Sequence, residues 1–309
     1  MSKVRFGFLA VSAAMLCGCS RAHSNAPANA ENTQPVAARQ SSTAGSRTNN
    51  PAQRRSGPFL GFDRNDYPGD DAMFSMQKTF SFTGYWLTNP PGEDMNTWVG
   101  KRALLRSQGW GFLVLANGKL DADILAAQKR GTSPAALGKR DAANAVSAAK
   151  REGFPAQTII FLDQEEGGRL LDEQAAYLLA WTEAVAGSNY RPGVYASGQR
   201  VQDSPGVWID TVEDIRARVK KDGLHDVAIF DALDQCPPSP GCTLQAKPLS
   251  AAPDLNLTVW QYSQSPRRPE ITQSCGSTYA EDRNCYAPGA PGVFLDMDVA
   301  DSADPSHGR

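Results

Sequence analysis

Histidine is scarce in this chain, and its scarcity excludes several enzyme classes. The three histidines are His23, His225 and His307, and two of them lie outside the segment that carries the apolar strands. A Ser-His-Asp triad or a histidine-rich metal site would therefore depend on His225 alone. The simpler interpretation of His225 is a polar residue in the turn Gly223-Leu224-His225-Asp226. The sequence thus predicts neither serine-hydrolase chemistry nor a metal centre.

The chain also lacks an excess of charge of one sign and any nucleotide-binding motif. Its formal net charge is −2, and removal of an N-terminal segment with Lys3 and Arg5 would make it −4. No basic stripe is present, which argues against a nucleic-acid partner. There is no P-loop and no dinucleotide fingerprint, so no cofactor is implied. Asp121-Ala122-Asp123 could suggest a bound cation, but a solvated helical or loop stretch is the simpler interpretation.

No apolar run is long enough to span a membrane, but a short one follows the basic start of the chain. Residues 1–18 are therefore interpreted as an export signal. The sequence Leu16-Cys17-Gly18-Cys19 resembles the bacterial lipoprotein cleavage box, which predicts cleavage before Cys19 and acylation of its thiol. Ser20 then favours a lipid anchor in the outer membrane, with the protein facing the periplasm. An ordinary secretory signal is the alternative.

The segment after the signal is poor in large apolar residues. Residues 19–57 consist mainly of Ala, Ser, Asn, Thr, Gln, Pro and Arg, and burial of such side chains cannot offset the entropy lost on ordering. We therefore expect a disordered tether here, and a short disordered tail at 302–309. Residues 58–301 are long enough for one sizeable core, which favours a single domain.

Cysteine usage fits an exported protein. Four cysteines follow Cys17 and Cys19, at Cys236, Cys242, Cys275 and Cys285. Close pairs in an exported chain indicate disulfides, so we expect Cys236 to bond with Cys242 and Cys275 with Cys285. Each bond would stabilise a loop by about 2 to 3 kcal/mol. A zinc site is the alternative, but the spacing is wrong for one and no histidine lies nearby.

An acid pair at the end of an apolar run is the most informative feature that is present. Residues 158–165 read T-I-I-F-L-D-Q-E, which is typical of a buried parallel strand followed by two carboxylates. The period-two geometry of a strand places Asp163 and Glu165 on one face. Two adjacent carboxylates resist ionising together, so we expect one raised and one ordinary pKa. Glycoside hydrolysis needs this division between a proton donor and a charged partner.

Apolar strand segments alternate with helical segments through the first two thirds of the chain. The pattern predicts eight parallel strands closed into a TIM-like (β/α) barrel, an α/β fold with its helices outside. The predicted strands lie near 59–63, 83–88, 111–116, 158–163, 192–197, 227–232, 257–262 and 293–298. The predicted helices lie near 96–108, 138–152, 172–187 and 211–222. Helices are expected to be missing from 233–256 and 263–292, which have no amphipathic run.

Polar residues stand at the ends of the predicted strands, where barrel enzymes carry their active sites. They are Asp63, Asp163, Glu165, Asp231, Gln261, Tyr262, Asp296 and Asp298. We expect these side chains to converge on one mouth of the barrel, although Asp231 or Asp298 taken alone could be a helix cap or loop acid. Aromatic residues that could stack on sugar rings are Tyr67, Trp86, Tyr195, Trp208, Trp260 and Tyr262. Trp86 and Trp260 lie within strands and could equally belong to the core.

An ordered set of short motifs resembles a known family. The motifs are Gly61-Phe62-Asp63, Asp163-Gln164-Glu165, P-G-V-Y-A-S at 192–197, V-W-Q-Y at 259–262 and V-F-L-D-M-D at 293–298. In order and spacing they are similar to the glycoside-hydrolase-like domains related to family 25 lysozymes. The resemblance implies a flattened barrel of five strand-helix units followed by three strands with few helices. This architecture would account for the helix-poor last third.

The resemblance also implies a function. It makes Glu165 the general acid and Asp163 its partner, with Asp63 and Asp296 as flanking acids. In the lysozymes the bond cleaved follows N-acetylmuramic acid in peptidoglycan, and a substrate-assisted route has been proposed in which the sugar's acetamido oxygen attacks the anomeric carbon. The expected substrate contacts are Tyr67, Trp86, Tyr195, Asp231, Trp260, Gln261 and Tyr262. The alternatives are a catalytically inactive cell-wall or carbohydrate-binding barrel and a chitinase-like hydrolase.

Overall fold

The computed structural model describes residues 57–245, 247–254 and 256–309. The predicted signal segment, the lipidation of Cys19 and nearly all of the predicted tether therefore lie outside the described residues. Within the described ranges, no helix is both long enough and apolar enough to cross a membrane.

Eight strands close into a barrel, which confirms the predicted fold class. They are β1 (Phe59–Asp63), β2 (Phe82–Trp86), β3 (Gly111–Asn117), β4 (Ile159–Asp163), β5 (Arg191–Ser197), β8 (Ala228–Ala232), β9 (Val259–Ser263) and β10 (Asp296–Ala300). Their order around the barrel is β1-β10-β9-β8-β5-β4-β3-β2. Two further strands, β6 (Val201–Ser204) and β7 (Val207–Ile209), form a separate hairpin between β5 and β8.

The direction of the last barrel strand differs from the prediction. Strand β10 runs antiparallel to both of its neighbours, β1 and β9, so the expectation of eight parallel strands is wrong. Its C-terminal end therefore points away from the mouth that the other C-terminal ends form. Asp296 pairs with Asp63 because it begins β10 instead of ending it. The reversed direction of β10 thus places the side chain of Asp296 at the mouth, where it was expected.

Helices cover the outside of the barrel over the first three quarters of the chain. In the described residues they are α1 (Asp70–Met76), α2 (Arg102–Ser107), α3 (Asp121–Lys129), α4 (Pro134–Glu152), α5 (Asp172–Ala186), α6 (Thr211–Asp222) and the single turn α7 (Pro269–Thr272). Helix α4 begins after Ser133, whose Oγ accepts the N–H of Ala136, and ends at Gly153 in the left-handed region. Helices α1 and α3 are absent from the prediction, whereas the helix-poor last third is confirmed.

Aromatic side chains fill the barrel interior below the mouth. The ring of Phe82 lies against Gly61 on the neighbouring strand, so close that a Cβ at Gly61 would stand 2.1 Å from it. The Phe161 side chain is likewise fully buried. Because the lower part of the barrel is closed by these rings, only its upper end is open to polar chemistry.

Two disulfides connect the helix-poor segments, but not in the predicted pairs. Cys236 bonds with Cys275, and Cys242 bonds with Cys285. The predicted pairing within each segment is wrong, because 233–256 and 263–292 lie against each other and the nearest thiols belong to opposite segments. The bonded residues are 39 and 43 positions apart, and loops of this length give about 4 kcal/mol per bond. The disulfides thus contribute stability where helices are missing.

The last residues of the chain are ordered, which corrects the expectation of a disordered tail at 302–309. Ser306 is buried, and its Oγ accepts the N–H of Val114 at 2.8 Å. Its carbonyl oxygen accepts the N–H of Ile159, and its own N–H donates to Phe112. These bonds satisfy backbone groups near the N-terminal ends of β3 and β4 that would otherwise be unpaired. The polar composition of the tail conceals this role.

Candidate active site

A cavity opens at the upper end of the barrel. Its lining residues are Asp63, Asn65, Trp86, Leu115, Asp163, Glu165, Tyr195, Phe230, Gln261, Gln264 and Asp296. All four acids that were expected to carry catalysis are therefore brought together. Of the expected substrate contacts, Trp86, Tyr195 and Gln261 line the cavity. Asn65, Leu115, Phe230 and Gln264 line it as well and are absent from the sequence prediction.

Two expected aromatic contacts lie on the outer face of the barrel. Gln261 points into the cavity, so the period-two geometry of β9 turns Trp260 and Tyr262 outward. Trp260 is buried, and its Nε1 donates to the carbonyl of Leu233 at 2.8 Å. The hydroxyl of Tyr262 donates to the carbonyl of Thr243 at 2.9 Å. Both side chains therefore anchor the loop that follows β8 and do not reach a ligand in the cavity.

Tyr67 and Asp231 are also outside the cavity lining. The Tyr67 ring packs edge-on against Trp98, and its hydroxyl donates to Asp70. Asp231 is fully buried on the outer face of β8, beside Gly198. Burial, and then the charges of Asp254 and Asp210, raise the pKa of Asp231 well above its ordinary value. It is a buried structural acid and does not belong to the mouth.

The acid pair after β4 has the arrangement that the sequence predicts, but not the predicted pKa values. Asp163 is buried, whereas Glu165 is reached by solvent at the concave mouth. Burial, followed by the charges of Glu165 and Asp63, raises the pKa of Asp163 well above its ordinary value. Burial raises the pKa of Glu165 too, opposed by a hydrogen bond from Asp163 and by the charge of Arg268. The expectation of one ordinary pKa is therefore wrong, because protein atoms crowd both carboxyls.

Glu166 fixes the segment that carries Glu165. Its Oε2 accepts two hydrogen bonds of 2.6 Å, one from the backbone N–H of Asp121 at the start of α3 and one from Nε2 of Gln174 in α5. The side chain of Gln164 donates to the carbonyl oxygen of Glu166. These bonds tie the chain after β4 to two helices. No spacing or motif in the sequence points to this role.

A network of amides and a phenol surrounds Asp63 on the other side of the cavity. Nε2 of Gln261 donates to Oδ2 of Asp63 at 2.8 Å, and the hydroxyl of Tyr195 donates to Oε1 of Gln261 at 2.9 Å. Nε2 of Gln264 lies 2.9 Å from the same hydroxyl oxygen and 2.8 Å from Oε1 of Gln261. Burial raises the pKa of Asp63 to about 6, although the bond from Gln261 opposes the rise. Asp63 thus titrates near neutral pH.

Asp296 and Asp298 extend the acid cluster down β10. The backbone N–H of Ser265 donates to Oδ1 of Asp296 at 2.6 Å, but burial and the charge of Asp63 still raise the pKa of Asp296 well above its ordinary value. Burial and the same charge raise the pKa of Asp298. A hydrogen bond from Asp298 to Asp63 raises the pKa of Asp298 further and lowers that of Asp63. The raised pKa values favour the neutral forms of Asp296 and Asp298.

The carboxyls of the cluster lie close enough to influence one another's pKa values. Five acids converge, and the cation that influences Glu165 is Arg268, whose guanidinium pairs with the buried Asp234 at 2.9 Å. In the described part of the chain, no group of three or more His, Cys, Asp or Glu residues has the geometry to hold a metal ion. Three rings, those of Trp86, Tyr195 and Phe230, supply apolar surface beside the acids. An acid beside apolar rings and amide groups suits a sugar ring with a leaving oxygen.

Several solved structures are similar to this chain. A B. stearothermophilus protein is 20% identical with a TM-score of 0.49, over 78% of this chain and 95% of that chain. The Tat-secreted protein Rv2525c of Mycobacterium tuberculosis is 15% identical with a TM-score of 0.45, over 82% and 98%. The catalytic domain of endolysin ply40 from bacteriophage P40 of Listeria monocytogenes is 14% identical with a TM-score of 0.41, over 78% and 92%.

A family model matches the first part of the barrel. No curated protein sequence matches the chain significantly. The matching model spans residues 83–235, which contain β2 to β8 and the acid pair. Its description is "Rv2525c-like, glycoside hydrolase-like domain". The match confirms the resemblance found in the sequence: residues 83–235 are similar to the Rv2525c-like glycoside hydrolase-like domain family.

Proposed function

We propose that this protein is a glycoside hydrolase that cleaves peptidoglycan, with Glu165 as general acid. The observation that carries the proposal is the arrangement of the acid pair, in which Glu165 is open to the cavity and Asp163 is buried behind it. An acid that delivers a proton to a ligand must be reachable, and it must carry the proton when the glycosidic bond breaks. Glu165 meets the first condition by its position and the second by its raised pKa.

The rest of the cavity supports a sugar as substrate. Trp86 and Tyr195 can stack on the apolar face of a pyranose ring. The amides of Gln261 and Gln264, already oriented by the hydroxyl of Tyr195, can bond to hydroxyl or acetamido groups. Few apolar residues and many oriented polar groups are what a hydrated ligand such as a glycan requires.

The proposed reaction begins with binding of an N-acetylated sugar. Oδ1 of Asp163 is buried without a hydrogen-bond partner, and it would accept the N–H of the acetamido group. That bond favours the charged form of Asp163, so the proton shared by the pair comes to lie on Glu165. Binding thereby converts the resting pair into an acid and an anion.

Bond cleavage then follows without a protein nucleophile. Glu165 gives its proton to the glycosidic oxygen as the bond from that oxygen to the anomeric carbon breaks. The acetamido oxygen bonds to the anomeric carbon, and the charged Asp163 stabilises the positive charge that develops. A water molecule next attacks the anomeric carbon and transfers a proton to the Glu165 carboxylate, which restores both the sugar's acetamido group and the acid.

The proposed location is the cell envelope. The two disulfides support export, because disulfides persist in oxidising compartments. A lipid anchor at Cys19, with the barrel facing the periplasm from the outer membrane, is part of the proposal. In that position the cavity would meet the peptidoglycan layer directly.

One observation favours a second function, a binding protein without turnover. Burial raises the pKa of Asp163 as well as that of Glu165, so the proton of the pair can rest on Asp163, and a charged Glu165 cannot act as an acid. If ligand binding fails to move the proton to Glu165, the cavity binds a glycan and leaves it intact. The two functions therefore differ in the fate of one proton.

Digestion of peptidoglycan by the purified protein tests the proposal. The parent protein, Glu165→Gln and the control Glu173→Gln are incubated with peptidoglycan, and released muropeptides are identified by mass spectrometry. Glu173 suits the control because it is a partly exposed residue in the first turn of α5 and does not line the cavity. Products from the parent and the control, but not from Glu165→Gln, would support the hydrolase. Binding by all three without products would instead support the glycan-binding function.

A further inference from the structure

The β6–β7 hairpin is an exposed structure that the barrel itself does not require. It follows β5 by three residues and pairs only with itself. Its apolar side chains include Val201, Val207 and Trp208, all exposed. Two-stranded ribbons are marginally stable by themselves, so a hairpin of this kind needs packing on one face. Its other face is then available to a ligand.

The strand register separates the two faces. Val201 pairs with Ile209, and Gln202 pairs with Trp208. Side chains alternate along a strand, so Val201 and Ile209 share one face while Gln202 and Trp208 share the other. Ile209 is buried, which identifies the face that contacts the protein. Trp208 and Gln202 therefore face solvent side by side.

Trp208 differs from every other tryptophan in the chain. Its side chain is 54% exposed, whereas the other five are nearly or fully buried: Trp86, Trp98, Trp110, Trp181 and Trp260. The backbone around it is held in place, since Arg200 donates from Nη2 to the carbonyl of Trp208 at 2.8 Å. An exposed indole on a fixed backbone is a ready stacking surface.

The hairpin is attached to the loop that carries Glu165. Arg169, four residues after Glu165, pairs through Nε with Oδ1 of Asp203 at 3.1 Å and through Nη1 with Asp214. Gly168 packs so closely on Val201 that a Cβ there would lie 3.1 Å from Cγ2 of Val201. Four residues span at most about 14 Å, so the hairpin stands on the same rim as the catalytic acid.

We propose that Trp208 and Gln202 form an outer glycan-binding site for a strand that leaves the cavity. The inference rests on the proposed function. The cavity opens to solvent at the upper end of the barrel, so a polymeric substrate bound in it must continue along the rim. The indole would stack on the apolar face of a pyranose ring, and the Gln202 amide would bond to a hydroxyl or acetamido group of the same sugar.

Tryptophan fluorescence tests this site because the other indoles are buried. Each protein carries Glu165→Gln to prevent turnover and is titrated with peptide-free glycan strands prepared from peptidoglycan. Acrylamide quenching is measured with long strands and with the disaccharide unit. The variants compared are Trp208→Ala and Trp208→Phe, with Phe74→Ala as the control. Phe74 is an exposed aromatic residue on α1.

We expect long strands to protect the indole from quenching and the disaccharide, which the cavity accommodates, to leave it accessible. Affinity for long strands, measured by calorimetry, should fall about tenfold in Trp208→Ala and much less in Trp208→Phe, which keeps a ring. The Phe74→Ala variant should bind like the parent. Equal affinity of the parent and Trp208→Ala for long strands, or no binding by the parent, would overturn the site.

The test of the outer binding site at Trp208 can succeed or fail independently of the test of hydrolysis. Binding is measured without turnover, so a protein that never cleaves peptidoglycan can still show strand binding that depends on Trp208. In that case the outer site stands and hydrolysis fails. Conversely, a parent that cleaves peptidoglycan while Trp208→Ala binds strands equally well keeps the hydrolase and removes the outer site.

Discussion

Strands β4 and β8 each carry a buried acid at or next to their last residue, yet only the acid of β4 lines the cavity. Asp163 of β4 pairs in register with Tyr195 of β5, and both side chains line the cavity. Asp231 of β8 pairs with Ala196, one position further along β5, and this single step turns it to the outer face. Burial raises the pKa of both acids. The position of an acid at a strand end and its raised pKa are therefore not sufficient evidence of catalysis.

The largest expected effect is the difference in activity between substitution of Glu165, which follows β4, and substitution of Asp231 in β8. Glu165→Gln should lower the rate of muropeptide release by about 10²- to 10⁴-fold, because the amide has no proton to give. Asp231→Asn should leave the rate within about twofold of the parent, because Asp231 does not reach the cavity. Rates of release under identical conditions give both values. A large loss in Asp231→Asn with the fold intact would contradict the division into inward and outward acids.

The next largest effect concerns Glu166, which holds in place the segment that carries Glu165. Glu166→Gln loses the charge that accepts from the Asp121 N–H and from Gln174, so Glu165 should shift and kcat should fall about 10- to 100-fold. We expect KM and the Tm to change little, since Gln retains one acceptor oxygen. Steady-state kinetics with soluble glycan strands checks this. If kcat in Glu166→Gln equals that of Glu173→Gln, Glu166 has no positioning role.

A smaller effect concerns the pH dependence of activity. Activity should fall as pH rises through the raised pKa of Glu165, because the acid loses its proton. The charge of Arg268 lowers that pKa, so Arg268→Gln should move the fall in activity to higher pH. Arg268→Lys keeps the charge and should stay close to the parent. A shift to lower pH in Arg268→Gln would show that Glu165 is not the group that titrates.

The smallest expected effect is on thermal stability and concerns Asp231, the acid on the outer face of β8. Because the folded-state pKa of Asp231 is raised, the folded protein binds more protons than the unfolded chain above the ordinary aspartate range. Stability from this group is present at low pH and is lost as pH rises toward the raised pKa. Asp231→Asn stays neutral, so its Tm should exceed that of the parent by about 2 to 4 °C at pH ~8 and match it at pH ~4. Thermal unfolding at both pH values checks this, and a lower Tm at the higher pH would contradict it.

Much of the barrel was predictable because its strands are short apolar runs. Strand β1 and the acid pair after β4 lie where the pattern predicts, since burial on both faces selects continuous apolar residues. The direction of β10 was not predictable, because period and composition are the same for a strand that runs either way. Tertiary pairing determines the direction. The disulfide pairing escaped prediction for the same reason, since spacing along the chain does not reveal which loops face each other.

The candidate site was predictable in its acids and less so in its aromatic residues. Asp163 and Glu165 are two apart, and both line the cavity because the backbone continues to pair with β5 just past the end of β4, where the N–H of Gln164 donates to the carbonyl of Tyr195. Trp260 and Tyr262 flank Gln261 in β9. Side chains alternate between the two faces of a strand, so Gln261 and its neighbours cannot all face the cavity. The expectation that all three side chains reach the mouth is therefore wrong for Trp260 and Tyr262. Glu166 was missed because its role depends on α3 and α5, which converge on it from distant parts of the chain.

The most direct test of the central claim is a pH titration of the Glu165 carboxyl by ¹³C NMR. The signal is assigned by its loss in Glu165→Gln, and the titration is repeated with a bound N-acetylated glycan strand. We expect a pKa above the ordinary glutamate range in the free protein and a further rise when the ligand brings the proton to Glu165. A pKa within or below the ordinary range in both states would contradict the assignment of Glu165 as the general acid.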